Sequence, residues 1–374
     1  MTESAAPIET IAGHPVYFID QDEALASAAQ GWREQAVLGI DTEFERSHTF
    51  FARPGLIQIC DGSAAWLVDP IACGDLTPLC ELLSAPAPLK IIHSGSEDFE
   101  LLASLCGVTL KGLFDTQIAS GLVGLRAAIS YRDLVETVCG VTLEKGETRS
   151  NWLKRPLTDR QLHYAALDVI YLLDVHAWLV EKLGASGRAP WADEDTLRLA
   201  ETAAAGADTE RMYREFKLAW KLPPADRAAL RALIDWRERH AADRDVPRRR
   251  VLDDDQLLEL ARNRPADNAA IGSLLGLKAR KRDDVAPGVV AAVEAAASAP
   301  APAAPPRPLD QGARKQIKAM KQIVEAAAER LAIEPTILAS RRDLVALLND
   351  GALPERLTGW RRAVVGQELE ATLA

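Results

Sequence analysis

Five side chains have the types and spacing needed to hold divalent cations beside a reacting group. They are Asp41 and Glu43 in DTEF, Asp98 in SEDFELL, and Tyr164 and Asp168 in HYAALD. Carboxylate oxygens are the ligands that Mg²⁺ prefers in proteins. A zinc site would instead call for clustered histidines and cysteines, and the scattered thiols and six histidines offer no such cluster.

Each acidic position also has an ordinary structural explanation. Side chains alternate along a strand, so Asp41 and Glu43 point to the same side, but an exposed strand end explains them equally well. The pattern D-x-E is expected by chance about once or twice in an acidic chain of this size. Asp98 falls in the first turn of a helix capped by Ser94 or Ser96, where acidic residues favour the helix dipole. None of these motifs is decisive alone.

Two candidate side chains precede Asp168 in HYAALD, and helix geometry distinguishes them. Thr158 and Gln161 in TDRQ have the form of a capping box, which predicts a helix beginning directly after Thr158. At about 100° per residue, Tyr164 is offset from Asp168 by about 40°, whereas His163 is offset by about 140°. Tyr164 therefore shares the face of Asp168, and His163 points away.

The surrounding elements predict one α/β domain followed by helical ones. Five β-like runs come first, at 15–20, 36–44, 56–60, 64–69 and 89–94, with amphipathic helices after the later ones. This pattern predicts a mixed sheet flanked by helices. From about residue 195 the strands stop, and SAPAPAAPPRP can be neither helix nor sheet interior. The predicted domains are 1–205, 206–297, a stiff linker at 298–308, and 309–374.

Charge is distributed unevenly along the chain, whose formal net charge is −10 over 374 residues. Residues 1–205 carry 15 Lys+Arg against 29 Asp+Glu, and residues 206–374 carry 29 against 25. The acidic half could hold cations and the basic half phosphates, although a solvated surface explains the difference equally well.

Two basic clusters in residues 206–374 can likewise be interpreted either as phosphate-binding sites or as ordinary surface. These clusters, which could neutralise phosphates, are Arg248, Arg249 and Arg250, and Lys278, Arg280, Lys281 and Arg282. Nearby aspartates could offset them and leave a mixed surface. Lys154 and Arg155, before the third acidic motif, could likewise touch phosphate or form a solvated pair. His93, at the end of a strand, is expected to be a hydrogen-bonded structural histidine rather than a metal ligand.

Cellular location and cysteine chemistry follow from what the sequence lacks. No run of eighteen apolar residues occurs, and the first residues have neither a basic start nor an apolar signal core, so we expect a soluble cytoplasmic protein. The five cysteines have no CxxC spacing, and several lie in apolar runs. We therefore expect reduced core thiols rather than disulfides.

Taken together, these motifs resemble the DEDD exonucleases, and among them the ribonuclease D type. DTEF, HSGSEDFELL and SNWLKRPLTDRQLHYAALDVIYLL match the three exonuclease motifs in order, and DTQIAS matches the connecting segment. Residues near 225–297 resemble an HRDC domain, and 331–347 with 359–366 resemble a second, related bundle. The resemblance implies a ribonuclease H-like exonuclease domain followed by two small all-α HRDC-type domains.

For the site, the resemblance implies that four carboxylates hold two divalent metal ions, Mg²⁺ or Mn²⁺. Those carboxylates are Asp41, Glu43, Asp98 and Asp168. The family divides by whether a tyrosine four residues before the last aspartate, or a histidine five before it, positions the attacking water. This sequence satisfies both patterns, with Tyr164 and His163. The helix argument and the ribonuclease D resemblance both favour Tyr164.

The implied function is 3′–5′ exoribonuclease activity that releases 5′-mononucleotides from the 3′ ends of tRNA precursors and other small structured RNAs. We expect RNA as the partner, no membrane, and a monomer. One alternative is a DNA 3′–5′ exonuclease that uses the same carboxylates, since the metal site does not read the sugar. Another is a non-catalytic nucleic-acid-binding module, which loss of an acidic residue would favour, and none is lost.

Overall fold

The computed structural model describes residues 6–144, 146–147 and 150–373 and divides into two compact units. The first, here called the sheet unit, combines the residues up to Glu45 with Arg53–Ala204 and those from Asp310 onward. The second, here called the helical unit, combines Arg46–Ala52 with Ala205–Leu309. The domain boundaries given above stay predictions. The helices of the predicted last domain belong to the same unit as the sheet.

Seven strands form the mixed sheet, in the order β1-β2-β5-β4-β3-β6-β7. They are β1 (Glu9–Ile11), β2 (His14–Ile19), β3 (Val37–Glu45), β4 (Arg53–Cys60), β5 (Ala65–Val68), β6 (Leu89–Ile92) and β7 (Leu113–Asp115). The pairs β2–β5, β3–β6 and β6–β7 are parallel, and the others are antiparallel. All five predicted strands form. The sequence missed β1 and β7, whose three residues are too few to show a period of two.

Helices cover both faces of the sheet, build the helical unit, and complete the sheet unit at the end of the chain. The first group is α1 (Asp22–Trp32), α2 (Thr77–Ser84), α3 (Ser96–Cys106), α4 (Thr116–Leu122), α5 (Tyr131–Cys139), α6 (Asp159–Ile170), α7 (Leu172–Ser186) and α8 (Ala189–Ala204). The second is α9 (Thr209–Arg214), α10 (Pro224–Asp243), α11 (Arg248–Val251), α12 (Asp254–Asn263), α13 (Asn268–Leu275) and α14 (Ala279–Ala297). The third is α15 (Gln311–Leu331), α16 (Pro335–Leu338), α17 (Arg341–Asp350) and α18 (Gln367–Ala371).

The two faces of β3 meet different helices. Leu38 and Ile40 join the hydrophobic core formed with α1, α2 and α3. Gly39 faces the opposite way, where a Cβ would lie 3.1 Å from Cβ of Leu172 in α7. By alternation, Asp41 and Glu43 face the side covered by α6 and α7. Thr42 faces the side of α3.

The open end of β3 is created by the sheet register. Its parallel pairing with β6 runs only from Val37 to Gly39, whereas its antiparallel pairing with β4 continues to Glu45. The residues after Gly39 therefore extend past the end of β6. This leaves the carboxylates of β3 beside the loop that leads from β6 into α3.

Helices at the end of the chain are held to α8 by a charged and aromatic contact within the sheet unit. The guanidinium of Arg361, only 3% exposed, donates to Oδ2 of Asp195 at 2.6 Å. Trp191 and Trp360 stack with ring centroids 4.3 Å apart. Aromatic pairs of this kind contribute about 0.5–1.5 kcal/mol beyond the area they bury.

A segment of the β3–β4 connection completes the helical unit. The backbone N–H groups of Phe50 and Phe51 both donate to Oδ1 of Asp245, at 3.0 and 3.1 Å. Phe50 packs against the core of this unit, and the guanidinium of Arg248 lies 4.9 Å from its ring centroid. The proline-rich segment 298–308 has no helix or strand after α14 ends, and Tyr213 donates to the carbonyl of Ala303.

The expectation that all five cysteines are reduced is wrong for one pair. Cys80 in α2 and Cys106 at the end of α3 form a disulfide. The helices that carry them pack against one core, which brings together residues 26 positions apart. Local spacing gave no signal of that contact. Cys60, Cys73 and Cys139 are free. Along the described chain, every helix is too short or too polar to cross a membrane.

Candidate active site

Strand β3 and helix α6 bring three of the predicted carboxylates together. One oxygen from each of Asp41, Glu43 and Asp168 lies within 4.8 Å of the other two. The capping box predicted for α6 is present, because Thr158 accepts from the N–H of Gln161 and the Gln161 side chain accepts from the N–H of Thr158. The cap fixes where α6 begins and therefore which of its side chains face β3.

Asp98 lies in the first turn of α3 and bonds to a neighbour of the cluster. The hydroxyl group of Thr42 donates to Oδ1 of Asp98, which is 8% exposed. Asp98 is not one of the three carboxylates that share the 4.8 Å group. Its charge nevertheless acts on them, since it is the largest Coulombic contribution that raises the pKa of Asp41.

The predicted serine cap of α3 is wrong. The N-cap residue is Gly95, and no side chain caps it. Instead, the Asp115 carboxylate accepts from the backbone N–H of Gly95 at 2.8 Å and of Ser94 at 3.3 Å. Asp115 also caps α4 and is 1% exposed, so it ties the loop before Asp98 to the next helix.

The carboxylates of the site have raised pKa values, as expected for acidic groups that are buried together without a cationic partner. Burial, followed by the charges of Asp168 and Asp98, raises the pKa of Glu43 to about 8. Burial raises the pKa of Asp168 to about 7 despite a hydrogen bond from Tyr164, and that of Asp98 to about 6. Among the described residues, none of the four carboxylates has an ion pair with Lys, Arg or His.

Tyr164 contacts Asp168 and His163 contacts Glu9, as the helix geometry predicted, although both side chains also line a cavity of about 490 Å³. Tyr164 lines a cavity of about 140 Å³ with Asp41 and Asp168. Burial, followed by the charge of Asp168, raises the pKa of Tyr164 well above its usual value. His163 is exposed and lies 2.9 Å from a carboxylate oxygen of Glu9.

Two more residues of the cavity wall are fixed by hydrogen bonds. His93 contacts the Thr116 hydroxyl through Nδ1 at 2.9 Å and the Ile129 carbonyl through Nε2 at 3.1 Å. The prediction that His93 is a hydrogen-bonded structural residue is confirmed. Tyr131 also lines the cavity, and burial raises its pKa.

Sequence reasoning gave no role to Thr42, Asp115 or Tyr131. The D-T-Q sequence at 115–117 carries a helix-capping signal, since an aspartate ahead of a helix favours the N-cap position. Thr42 and Tyr131 had no local signal, because their contacts join residues far apart in the chain.

Arg155 fits neither of its two expected roles. Its guanidinium donates to both carboxylate oxygens of Asp69, to Oδ2 at 2.5 Å and Oδ1 at 2.7 Å, and to the Gly55 carbonyl at 2.6 Å. These bonds anchor the segment before α6 to β4 and β5. The side chain is a structural clamp, neither a solvated cation nor a free phosphate ligand.

The basic clusters of the helical unit are partly neutralised. Arg248 donates to Glu238, and Arg282 lies 2.7 Å from Asp283. Arg249 and Arg280 are exposed. The structure therefore agrees in part with both interpretations, a phosphate-binding surface and a mixed surface.

Comparison with known proteins accounts for the chain from the sheet to its end. Residues 16–184 match a sequence family described as 3′–5′ exonuclease, 226–293 match the HRDC domain, and 312–369 match the C-terminal HRDC domain of ribonuclease D. Ribonuclease D of Pseudomonas paraeruginosa is 38% identical over 363 residues, which cover 95% of this chain and 96% of that protein. The chain belongs to the ribonuclease D family.

A bacterial ribonuclease D has a similar fold. Ribonuclease D of Escherichia coli is 35% identical over 366 residues, which cover 95% of this chain and 97% of that protein. Its crystal structure, described as that of an exoribonuclease involved in structured RNA processing, matches with a TM-score of 0.85 over 95% of this chain and 98% of that one. The predicted fold class is confirmed. The chain is an enzyme, a hydrolytic 3′–5′ exoribonuclease.

Proposed function

We propose that this ribonuclease D family member removes 5′-mononucleotides from the 3′ ends of tRNA precursors and other small structured RNAs with the help of two divalent metal ions. Four carboxylates are the proposed metal ligands, and a tyrosine is the proposed water-positioning residue. These are Asp41, Glu43, Asp98 and Asp168, with Tyr164. The proposal also keeps two sequence predictions, a monomer and a cytoplasmic location.

The observation that carries the proposal is the group of three carboxylate oxygens within 4.8 Å of one another, from Asp41, Glu43 and Asp168. All donors are hard oxygens, which suit Mg²⁺ or Mn²⁺. Burial raises the pKa of all three, and the charges of neighbouring carboxylates raise those of Asp41 and Glu43 further, so a bound cation would favour the ionised forms. The donor set therefore fits a divalent cation.

Bound ions would supply positive charge to the attacking and leaving oxygens of the phosphodiester. Asp41 is placed to contact a cation held by the cluster, because one of its carboxylate oxygens lies within 4.8 Å of an oxygen of Glu43 and of Asp168. Glu43 and Asp168 complete the oxygen set. Asp98 acts on them through its charge and is itself held by Thr42.

Tyr164 is suited to orient water rather than to deprotonate it. Its pKa is raised above the ordinary phenol value, so the hydroxyl keeps its proton at neutral pH and acts as a donor. It also lines the same cavity as Asp41 and Asp168. The neighbouring His163 faces solvent and pairs with Glu9, which supports no contact with a reacting water.

The test uses matched 3′-labelled RNA and DNA oligomers with the wild-type protein, Tyr164→Phe and His163→Ala. With Mg²⁺ or Mn²⁺ we expect mononucleotide release from RNA, abolished by chelator. Loss of the tyrosine hydroxyl should lower kcat about 10²-fold, within the range for losing one positioned hydrogen bond. The histidine variant should stay within about twofold, because exposed pairs contribute little.

Several outcomes would contradict parts of the proposal. Full activity in Tyr164→Phe together with an inactive His163→Ala would reassign the water-positioning role. Equal or faster release from DNA would support the DNA exonuclease alternative. Activity that survives chelator would contradict the proposed requirement for metal ions. A ladder of internal fragments would indicate an endonuclease.

A further inference from the structure

Gly146 lies directly against the ring of Tyr164. A Cβ built on Gly146 would overlap Cε2 and Cδ2 of that ring and lie 2.6 Å from Cζ, inside the 3.0 Å that real Cβ atoms observe. The backbone at 146 therefore occupies the space where any larger residue would place its side chain. Position 146 therefore requires glycine, because the Tyr164 ring leaves no room for a Cβ atom.

The residue after Gly146 is tied to the helix that carries Tyr164. The Glu147 carboxylate lies 2.9 Å from the Arg160 guanidinium and accepts from the Ser150 hydroxyl. Arg160 is one helical turn before Tyr164 in α6. The ion pair thus places residues 146–147 beside the turn that presents the tyrosine, although its contribution to stability is small because the Arg160 side chain is exposed.

Two other neighbours define where the Tyr164 ring can go. The ring of Trp152, a residue that is 2% exposed, lies 6.2 Å from the Tyr164 ring between centroids, and the Trp152 backbone packs against Gly55. A second, larger cavity of about 490 Å³ is lined by Gly146, Glu147 and Arg160 and also by Tyr164. The ring therefore separates the cavity that contains Asp41 and Asp168 from a larger space able to receive it.

We infer that Gly146 is a positioning residue, whose backbone contact with the Tyr164 ring keeps the hydroxyl beside Asp168. The inference rests on the role proposed for Tyr164 above. The contact between Glu147 and Arg160 agrees with this placement of the backbone beside α6. A methyl group at position 146 should displace the ring and take the hydroxyl away from the reacting centre.

The first measurement compares Gly146→Ala with Gly184→Ala. Gly184 is an exposed helical glycine whose added Cβ would meet nothing within 4 Å, so it controls for the glycine-to-alanine change itself. Gly146→Ala should lower kcat about 10- to 100-fold, since misplacement by about 1 Å can have an effect of that size. KM should stay within about twofold, and Gly184→Ala should match the wild type. Unchanged kcat in Gly146→Ala would overturn the inference.

The second measurement asks whether Gly146 acts through the tyrosine hydroxyl. In a Tyr164→Phe background, Gly146→Ala should cause no further loss, measured in single turnovers with enzyme in excess and with Asp41→Asn as the floor. Effects of residues that act as a unit do not add. An equal fold loss in both backgrounds would indicate a general structural defect and reject the positioning role.

A direct probe separates this inference from the proposed function. The five tyrosines can be replaced by 3-fluorotyrosine, and the Tyr164 ¹⁹F resonance assigned by its absence in Tyr164→Phe. That resonance should shift in Gly146→Ala and not in Gly184→Ala. No shift would overturn the inference whatever the activities. A shift together with a fully active Tyr164→Phe would instead reject the catalytic role of Tyr164 and leave the contact standing.

Discussion

Two sets of carboxylates within the sheet unit are withdrawn from solvent, and they differ in what balances their charge. Asp69 and Asp195 each meet an arginine, Arg155 and Arg361 respectively. The cluster of β3 and α6 has no arginine or lysine partner among the described residues. Burial tends to raise the pKa of Asp69, but hydrogen bonds and the charge of Arg155 lower it overall, whereas the pKa of Glu43 rises to about 8.

The difference shows which carboxylates the fold uses for its own stability. The charge of a buried acid beside an arginine is balanced by a residue of the same chain, and removing the arginine leaves that charge uncompensated. The unpaired cluster is unfavourable in the isolated protein, because burial and repulsion both oppose ionisation. Such a cluster is stabilised only by a cation from outside the chain. Removing a carboxylate from the unpaired cluster should therefore stabilise the metal-free protein and abolish activity. Removing one that is paired with arginine should destabilise the protein and leave activity unchanged.

The largest effect is expected from Asp41→Asn. It should lower exonuclease activity about 10³-fold, as for loss of one strong electrostatic contact at a reacting centre. In metal-free buffer it should also raise the unfolding midpoint of the sheet unit, because the folded state then no longer contains a carboxyl group whose ionisation is opposed by burial and by its neighbours. A relief of about 1 kcal/mol corresponds to about 2–4 °C for a unit of this size. Single-turnover assays and calorimetry measure the two effects.

Asp69→Asn is the matched control. It removes a paired carboxylate, so the unfolding midpoint should fall while kcat stays close to wild type. If Asp41→Asn destabilised the metal-free protein as Asp69→Asn does, the distinction between the two sets of carboxylates would fail.

The next effect is on stability alone. Arg361→Met leaves Asp195 without its principal partner and should cost about 3 kcal/mol, the lower end for breaking a buried pair, since Arg198 lies 3.2 Å from the same carboxylate. Urea unfolding measures the loss. Activity per folded molecule at low temperature should remain within about twofold. The double variant Asp195→Asn with Arg361→Met should recover part of the lost stability, and a double variant less stable than both single variants would contradict the pairing.

The smallest effect is a pH slope in metal-free protein. The pKa values of Glu43 and Asp168, about 8 and about 7, lie above their unfolded values of 4.5 and 3.8. The folded state therefore holds more protons than the unfolded state between these values, and stability should fall as pH rises from about 5 to about 8. Asp69, whose pKa is lowered, contributes stability that is present above an unfolded value of 3.8 and is constant in this window.

Thermal midpoints at several pH values, with chelator and with Mg²⁺, measure the slope. Glu43→Gln combined with Asp168→Asn should flatten it, and saturating Mg²⁺ should flatten it in the wild type because the carboxylates are then held ionised. A slope of unchanged size in the double variant would assign it to other groups.

Local periodicity predicted much of the site. Alternation along β3 put Asp41 and Glu43 on one side, and the rotation of about 100° per residue in α6 separated Tyr164 from His163. Both depend only on near neighbours in the chain. The bond between Thr42 and Asp98 joins residues 56 positions apart, and the disulfide of Cys80 with Cys106 joins 26. Those contacts depend on how whole elements pack, which no local pattern contains.

The Phe50 segment has a consequence for anyone who dissects this enzyme. The chain leaves the sheet after Glu45, completes another compact unit, and returns at Arg53. A fragment that ends near residue 205 would carry Phe50 without Asp245 or the core it joins, and would also lack the helices that Arg361 anchors. Any loss of activity in such a fragment could come from these two exposed surfaces rather than from the loss of RNA binding. Surface substitutions in the intact chain are therefore a better way to assign roles to the helical parts.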